Sequence, residues 1–251
     1  MQISLPIMLV AFVCELVDSS LGMGYGTTLT PLLLLMGFSP LEVVPCVLIS
    51  ELLTGLSAGI AHHKVGNVSF RVRSKHLKIW LVLAGCSIVG ALLASTLALR
   101  VSKLWLNTYI GAMVFLIGIG ILLTLKRSYA FSWKKIAGLG LVAAFNKGLS
   151  GGGYGPVVTG GQILSGVESK SAIGITSFAE GVTCAAGLAV FYYASVQINQ
   201  ELATTLSIGA LLSVPFSVFL VRRIPTRALK MSIAVVTIVL GLLTLGKTYL
   251  F

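Results

Sequence analysis

Five ionisable side chains stand in apolar surroundings: Glu15, Asp18, Glu51, Lys147 and Glu180. Charge removed from water is costly, and where it persists in hydrocarbon it is paired or functional. Lys147 opens KGLSGGGYG at 147–155, which also supplies Ser150 and places Gly151, Gly152, Gly153 and Gly155 around Tyr154. A second stretch, DSSLGMGYGTT at 18–28, carries Asp18, Ser19, Ser20, Gly22, Gly24, Tyr25, Gly26, Thr27 and Thr28. Glycine at this density interrupts a helix, and the half-helix that restarts presents free N–H groups with partial positive charge. Such an end favours an anion. The restarts near Gly26 and Gly155, the Lys147 charge and the hydroxyls of Ser19, Ser20, Thr27, Thr28 and Ser150 therefore predict an anion site. The bland alternative is that the glycines only let helices pack closely. Tyr25 and Tyr154 could hydrogen-bond a substrate or simply wedge helices apart.

The carboxylates suggest a second chemistry. Asp18 and Lys147 are candidates to pair with each other, a link that could be purely structural. Glu51 and Glu180 fall at mid-depth of their segments, where loss of hydration favours a neutral carboxyl that can carry a proton. Glu51, Glu180, Asp18 and Glu15 are the proton-coupling candidates. For Glu51 and Glu180, the competing reading is a hydrogen-bonded acid that braces a hairpin. Glu42 and Glu168 read as solvated interface residues.

The elements that hold these groups must be membrane helices. The 251 residues are 56% hydrophobic and 10% charged, with a mean hydropathy of +0.99; soluble domains carry about 25% charge. Apolar stretches long enough to cross a bilayer lie at 41–62, 77–99, 104–125, 171–194, 202–221 and 229–250, since roughly 20 residues span the hydrocarbon. Two more, 3–37 and 132–167, are interrupted by the glycine motifs and read as broken helical hairpins. The net charge of +11 comes from cations in the gaps and reads as topology rather than nucleic-acid binding. Lys64, Arg71, Arg73, Lys75 and Lys78 mark one inside loop; Lys126, Arg127, Lys134 and Lys135 a second; Arg222, Arg223, Arg227 and Lys230 a third. SVQINQE at 195–201 goes outside, and so does the turn with Arg100 and Lys103, against the trend. Both termini then face outside. The N-terminal MQISLPIMLVAF, without a positive start or a cleavage site, reads as a retained membrane segment. Cys14, Cys46, Cys86 and Cys184 sit in apolar runs with no C-x-x-C spacing, so neither a disulfide nor a metal site is expected. No cofactor motif occurs, and a homodimer is compatible with the sequence.

The two motifs also repeat. Gly22, Gly24, Tyr25 and Gly26 match Gly151, Gly153, Tyr154 and Gly155 at a spacing of 129 residues, and so do Thr30 with Thr159, Gly37 with Gly166, Glu51 with Glu180 and Thr54 with Thr183. A slightly different shift matches Arg100 with Arg223, Leu106 with Leu229 and Gly118 with Gly241. The expected architecture is an all-α polytopic membrane protein built as an inverted repeat. Residues 1–128 form one copy and 129–251 the other, each a broken hairpin plus three transmembrane helices. An odd number of crossings per copy inverts the second, which is a transporter plan.

GMGYGTTLTPLLLLMGFSP at 22–40 and SGGGYGPVVTGGQILSGVESKSAIG at 150–174 resemble the sulfite exporter TauE/SafE family, and the resemblance covers nearly the whole chain. It implies a bacterial inner-membrane secondary carrier for sulfite, sulfonates such as sulfoacetate, or related organosulfur anions. The first hairpin departs from the commoner Gly-Gly-Gly pattern at Met23 and Tyr25, while Gly151–Gly153 keep it. The expected mechanism is proton-coupled alternating access around the two hairpin tips. A passive anion channel and a carrier of a non-sulfur anion are the alternatives. Gly148-Leu149-Ser150-Gly151-Gly152 also matches the serine-hydrolase G-x-S-x-G pattern. That chemistry needs a nearby base, and His62, His63 and His76 are expected at the cytoplasmic edge, so a non-enzyme is expected. A structural membrane subunit is disfavoured by the lack of any sizeable soluble domain, and ATP-driven transport by the lack of a P-loop.

Overall fold

The computed structural model describes residues 4–124, 131–221 and 226–250. Lys126, Arg127, Arg222 and Arg223, assigned above to inside loops, lie outside the described residues, as do the side chains of Arg227 and Lys230. Ten α-helices follow in order: α1 Leu5–Leu21, α2 Tyr25–Leu35, α3 Pro40–Val65, α4 Lys75–Ala98, α5 Lys103–Thr124, α6 Trp133–Ser150, α7 Tyr154–Leu164, α8 Ser169–Tyr193, α9 Gln200–Leu220 and α10 Thr226–Leu250. No strand occurs among the described residues. α3, α4, α5, α8 and α9 are long and apolar enough to cross a membrane. The sixth expected crossing corresponds to α10, whose Ala234–Tyr249 stretch is apolar. Each predicted span lies within a few residues of the helix it foresaw, because continuous apolar runs bounded by polar punctuation leave little freedom in a low-dielectric medium.

The breaks fall where the glycines are. α1 stops at Gly22 in the left-handed region (φ 69°), and its N–H bonds back to Asp18 O. α6 stops identically at Gly151 (φ 70°), bonding to Lys147 O. Gly24 (φ 136°) and Gly153 (φ 80°) then start α2 and α7. Side chains rarely tolerate these angles, so both kinks are written into the sequence.

The packing has a regular pattern. α1 lies on α9 as α6 lies on α4; α9 lies on α3 as α4 lies on α8; α3 lies on α8, and α5 on α10. The short helices α2 and α7 fit between these, α2 against α10 and α3, α7 against α6 and α8. At the centre the two breaks meet backbone to backbone. A Cβ on Gly26 would overlap the Gly151 carbonyl, and one on Gly155 would overlap the Gly22 carbonyl. Thr159 Oγ1 donates to that Gly22 carbonyl at 2.7 Å. Gly153 N–H donates to Thr27 Oγ1 at 3.1 Å.

Gly26→Ala must push the breaks apart against backbone, so it should lower unfolding free energy by about 1–3 kcal/mol. Gly160→Ala, where an added Cβ meets nothing within 4 Å, should be neutral or slightly stabilising. Thermal denaturation of the detergent-solubilised protein measures both; equal melting temperatures for the two variants would mean the breaks are not in contact.

Candidate functional site

Lys147 lies on the last turn of α6, just before the Gly151 stop, and is 1% exposed. Its ammonium reaches two carboxylates. One is Glu51 Oε2 on α3; the other is Glu180 Oε1 on α8, at 2.7 Å. Both acids are buried. α3 and α8 carry them to the same depth because the two helices pack against each other, with Gly55 seated against the Ser177 carbonyl and Gly181 of the facing helix. A lone buried charge would be strongly disfavoured, and two carboxylates on one ammonium leave the cluster with one net negative charge if both are ionised.

The expected Asp18–Lys147 pair does not form. Asp18 Oδ1 instead accepts from Tyr25 N–H at 3.1 Å, capping α2. Glu51 Oε1 accepts from the next amide, Gly26 N–H, at 3.3 Å. The chain's own carboxylates therefore neutralise the positive end of α2. The start of α7 is built differently. The position matching Asp18 is Lys147 itself, and the match of Glu51, Glu180, is turned to Lys147. Lys147 is the cation in the last turn of α6, and its ammonium reaches Glu51, the acid that also accepts from Gly26 N–H.

The remaining predicted residues gather at the breaks with defined partners. Ser150 Oγ donates to Asn146 O at 2.7 Å and accepts from Gly152 N–H at 3.1 Å. Its described hydrogen-bond partners are backbone groups of Asn146 and Gly152. Gly152 abuts Gly26, and Gly24 faces Val17. Thr27 is buried and bonded to Gly153, while Thr28 is partly exposed. Ser20 Oγ donates to Ser217 O at 3.4 Å. The tyrosines point away from the breaks' amides: Tyr25 OH meets Ser50 Oγ at 2.7 Å and Tyr154 OH meets Ser87 Oγ at 2.9 Å. Both hydroxyls reach serines on neighbouring helices, Ser50 on α3 and Ser87 on α4. Glu15 accepts from Ser19 Oγ, one turn from Asp18. Glu42 also differs from a free surface acid, since Asn199 Nδ2 donates to it at 2.7 Å.

Two features escaped the sequence reading. His62 is fully buried, one residue from a loop it was expected to border. Its Nε2 meets Ser19 O at 3.0 Å and its Nδ1 meets Asn67 Nδ2 at 3.0 Å, so it links α3, α1 and the following loop. No local signal separates it from the exposed His63. The second is a cavity of about 690 Å³ between α5, α6 and α7, lined by Met113, Ile117, Asn146 and Val157 among others. Gly153 touches Met113 and Ile117, so the cavity ends at the second glycine break. Among the described residues, its polar side chains are Tyr109 and Asn146, joined by a 2.6 Å hydrogen bond.

A helical bundle with five membrane-length apolar helices, two packed breaks and a buried ion cluster defines a polytopic membrane protein with the anatomy of a transporter. The profile of the sulfite exporter TauE/SafE family matches residues 7–244, and the chain belongs to that family of membrane transporters. The probable membrane transporter protein YtnM of Bacillus subtilis (strain 168) is 28% identical over 229 residues, covering 85% of this chain and 73% of that relative. No solved structure matches the chain.

Lys147→Met would leave Glu51 and Glu180 buried without a counter-charge and should destabilise the fold by about 3–5 kcal/mol. Adding Glu51→Gln and Glu180→Gln to it should recover most of that loss. A thermal-stability cycle over wild type, Lys147→Met, Glu51→Gln/Glu180→Gln and the triple variant checks this, and additive effects would show that the three residues are not one unit.

Proposed function

We propose that this chain is a proton-coupled secondary transporter of a small sulfur oxyanion or organosulfur anion, such as sulfite or a sulfonate, in the bacterial inner membrane. The observation that carries the reading is Lys147 shared by Glu51 and Glu180 at the meeting point of the two glycine breaks. Membership of the sulfite exporter family supports the substrate class.

The coupling is competitive. A substrate anion must displace a carboxylate to reach Lys147. Glu51 is held twice, by Lys147 and by Gly26 N–H, whereas the bond to Lys147 is the one that holds the Glu180 carboxylate. Glu180 is therefore the acid that takes the proton. Once neutral it loses most of its attraction for Lys147, and the anion replaces it. The amides at the start of α7 and the Ser150 hydroxyl complete the pocket, with Gly151, Gly152, Gly153, Tyr154 and Gly155 forming its wall. On the first break, Ser20, Gly22, Gly24, Tyr25, Gly26, Thr27 and Thr28 form the opposing wall. Glu51, Asp18 and Glu15 set the field around the exchange. Anion affinity rises as pH falls, because the proton and the anion bind together.

The halves 1–128 and 129–251 act as inverted copies, with both termini outside. The paired packing supports this: α1 on α9 against α6 on α4, and Gly26 on Gly151 against Gly155 on Gly22. A site on the axis between two such copies is reached from either side by rocking one copy against the other. The seam between α5 and α7 is open as the 690 Å³ cavity, while α10 is fastened to α2 by Lys247 Nζ, which donates to Leu34 O and Leu35 O at 3.0 Å each.

Sulfoacetate or isethionate flux into proteoliposomes tests the coupling, since a sulfonate keeps its charge across the relevant pH range. Wild-type flux should rise about tenfold per pH unit lowered on the substrate side, up to saturation, for one bound proton. Glu180→Gln should be flat with pH and retain binding. Glu51→Gln should keep the pH response at reduced flux, since the amide oxygen can still accept from Gly26 N–H while the charge facing Lys147 is lost. A Glu180→Gln profile that follows wild type would remove that residue from the coupling.

A further inference from the structure

A second cavity, polar and about 410 Å³ in volume, opens where the loop after α3 meets the start of α8. It shares no lining residue with the Lys147 site. Arg71 comes to it from the loop and Lys170 from the first turn of α8. Both are exposed, and neither is ion-paired to a described carboxylate. Glu168 is the one acid on the lining, so the two fixed cations outnumber it.

The wall is built rather than loose. Ser171 Oγ donates to Asn67 O at 3.2 Å and ties α8 to the loop. Ser74 Oγ donates to Ser69 O at 2.7 Å, and Phe70 N–H donates to His63 Nδ1 at 3.3 Å. Ser69 N–H donates to His76 Nδ1 at 3.1 Å. A ring nitrogen that accepts carries no proton, so His76 bears its proton on Nε2 and lines the cavity as a donor. The N-terminus of the 25-residue α8 adds partial positive charge at the same place. Membrane topology asks only that cations lie on one side of the bilayer. It does not ask that two of them, from distant parts of the chain, converge with an imidazole donor on one cavity.

We propose that this cavity is a binding site for a tetrahedral oxyanion of the phosphate or sulfate type, distinct from the transport site. Arg71 supplies a planar fork for two oxygens, Lys170 a point charge and His76 Nε2–H a directional donor. The same chemistry is offered by free inorganic phosphate and by the phosphodiester of an anionic lipid.

The test titrates inorganic phosphate into the full-length protein in dodecyl maltoside, a detergent without phosphate, by isothermal calorimetry. Arg71→Gln/Lys170→Gln should weaken binding by at least about tenfold, since each residue contributes a charged hydrogen bond. His76→Gln should weaken it severalfold. Arg71 and Lys170 are exposed, so their double variant should fold normally. Lys147→Met/Glu51→Gln/Glu180→Gln should bind phosphate like wild type, which separates this site from the transport site. In nanodiscs containing phosphatidylglycerol, a wild-type site filled by lipid would bind added phosphate more weakly than in detergent; unchanged binding there assigns the site to the free anion. Absence of phosphate binding in detergent together with no lipid competition, or binding indifferent to the Arg71 and Lys170 changes, would overturn the proposal.

Discussion

The molecule is organised around one ammonium held by two carboxylates away from water. Lys147, Glu51 and Glu180 come from three helices, and each would be prohibitively unfavourable alone. Together they fix how α6 approaches the α3–α8 pair. They also leave a cluster that is not electrically closed. An arrangement with more carboxylate than ammonium can take up a proton, and an ammonium with two claimants can exchange one of them. The same three side chains thus tie three helices together, which is why the helices around them must hold their distance closely.

That distance is set by glycine. The breaks are stacked so tightly that Gly26 lies on the Gly151 carbonyl and Gly155 on that of Gly22. With backbone against backbone, a small shift at one break is passed directly to the other, because no flexible side chain lies between them to absorb it. The same closeness brings Gly26 N–H within reach of Glu51, so one carboxylate serves both the break and the cation. The two breaks are therefore alike in backbone and unlike in charge. α2 starts on two carboxylates, whereas the Gly153 amide at the start of α7 meets the Thr27 hydroxyl.

Much of this was legible in the chain. Uninterrupted apolar runs foretold the long helices, and Gly22, Gly24, Gly151 and Gly153 foretold where the short ones stop and start. The chemistry-bearing residues were also visible as such, since Glu15, Asp18, Glu51, Lys147 and Glu180 are conspicuous in so apolar a sequence. Their partners were not. Asp18 was matched to Lys147 because the two occupy corresponding places in the motifs, yet Asp18 caps its own hairpin and Lys147 reaches across to Glu51 and Glu180. Correspondence in sequence says which residues are alike, whereas pairing depends on which side chains a particular helix crossing brings within about 3 Å. His62 makes the same point, being buried beside an exposed His63 through the rotation of a single helix.

The sequence by itself determined the medium, the helices, the breaks and the set of groups able to hold charge. These follow from local rules: hydrocarbon demands helical backbone, and glycine permits the angles that end it. Only the tertiary structure decided that Glu51 and Glu180 share one lysine, that the first break is already neutralised, and that Arg71, His76 and Lys170 meet in one cavity. Electrostatic energy depends on separation and burial, and both arise from contacts between residues remote in the chain.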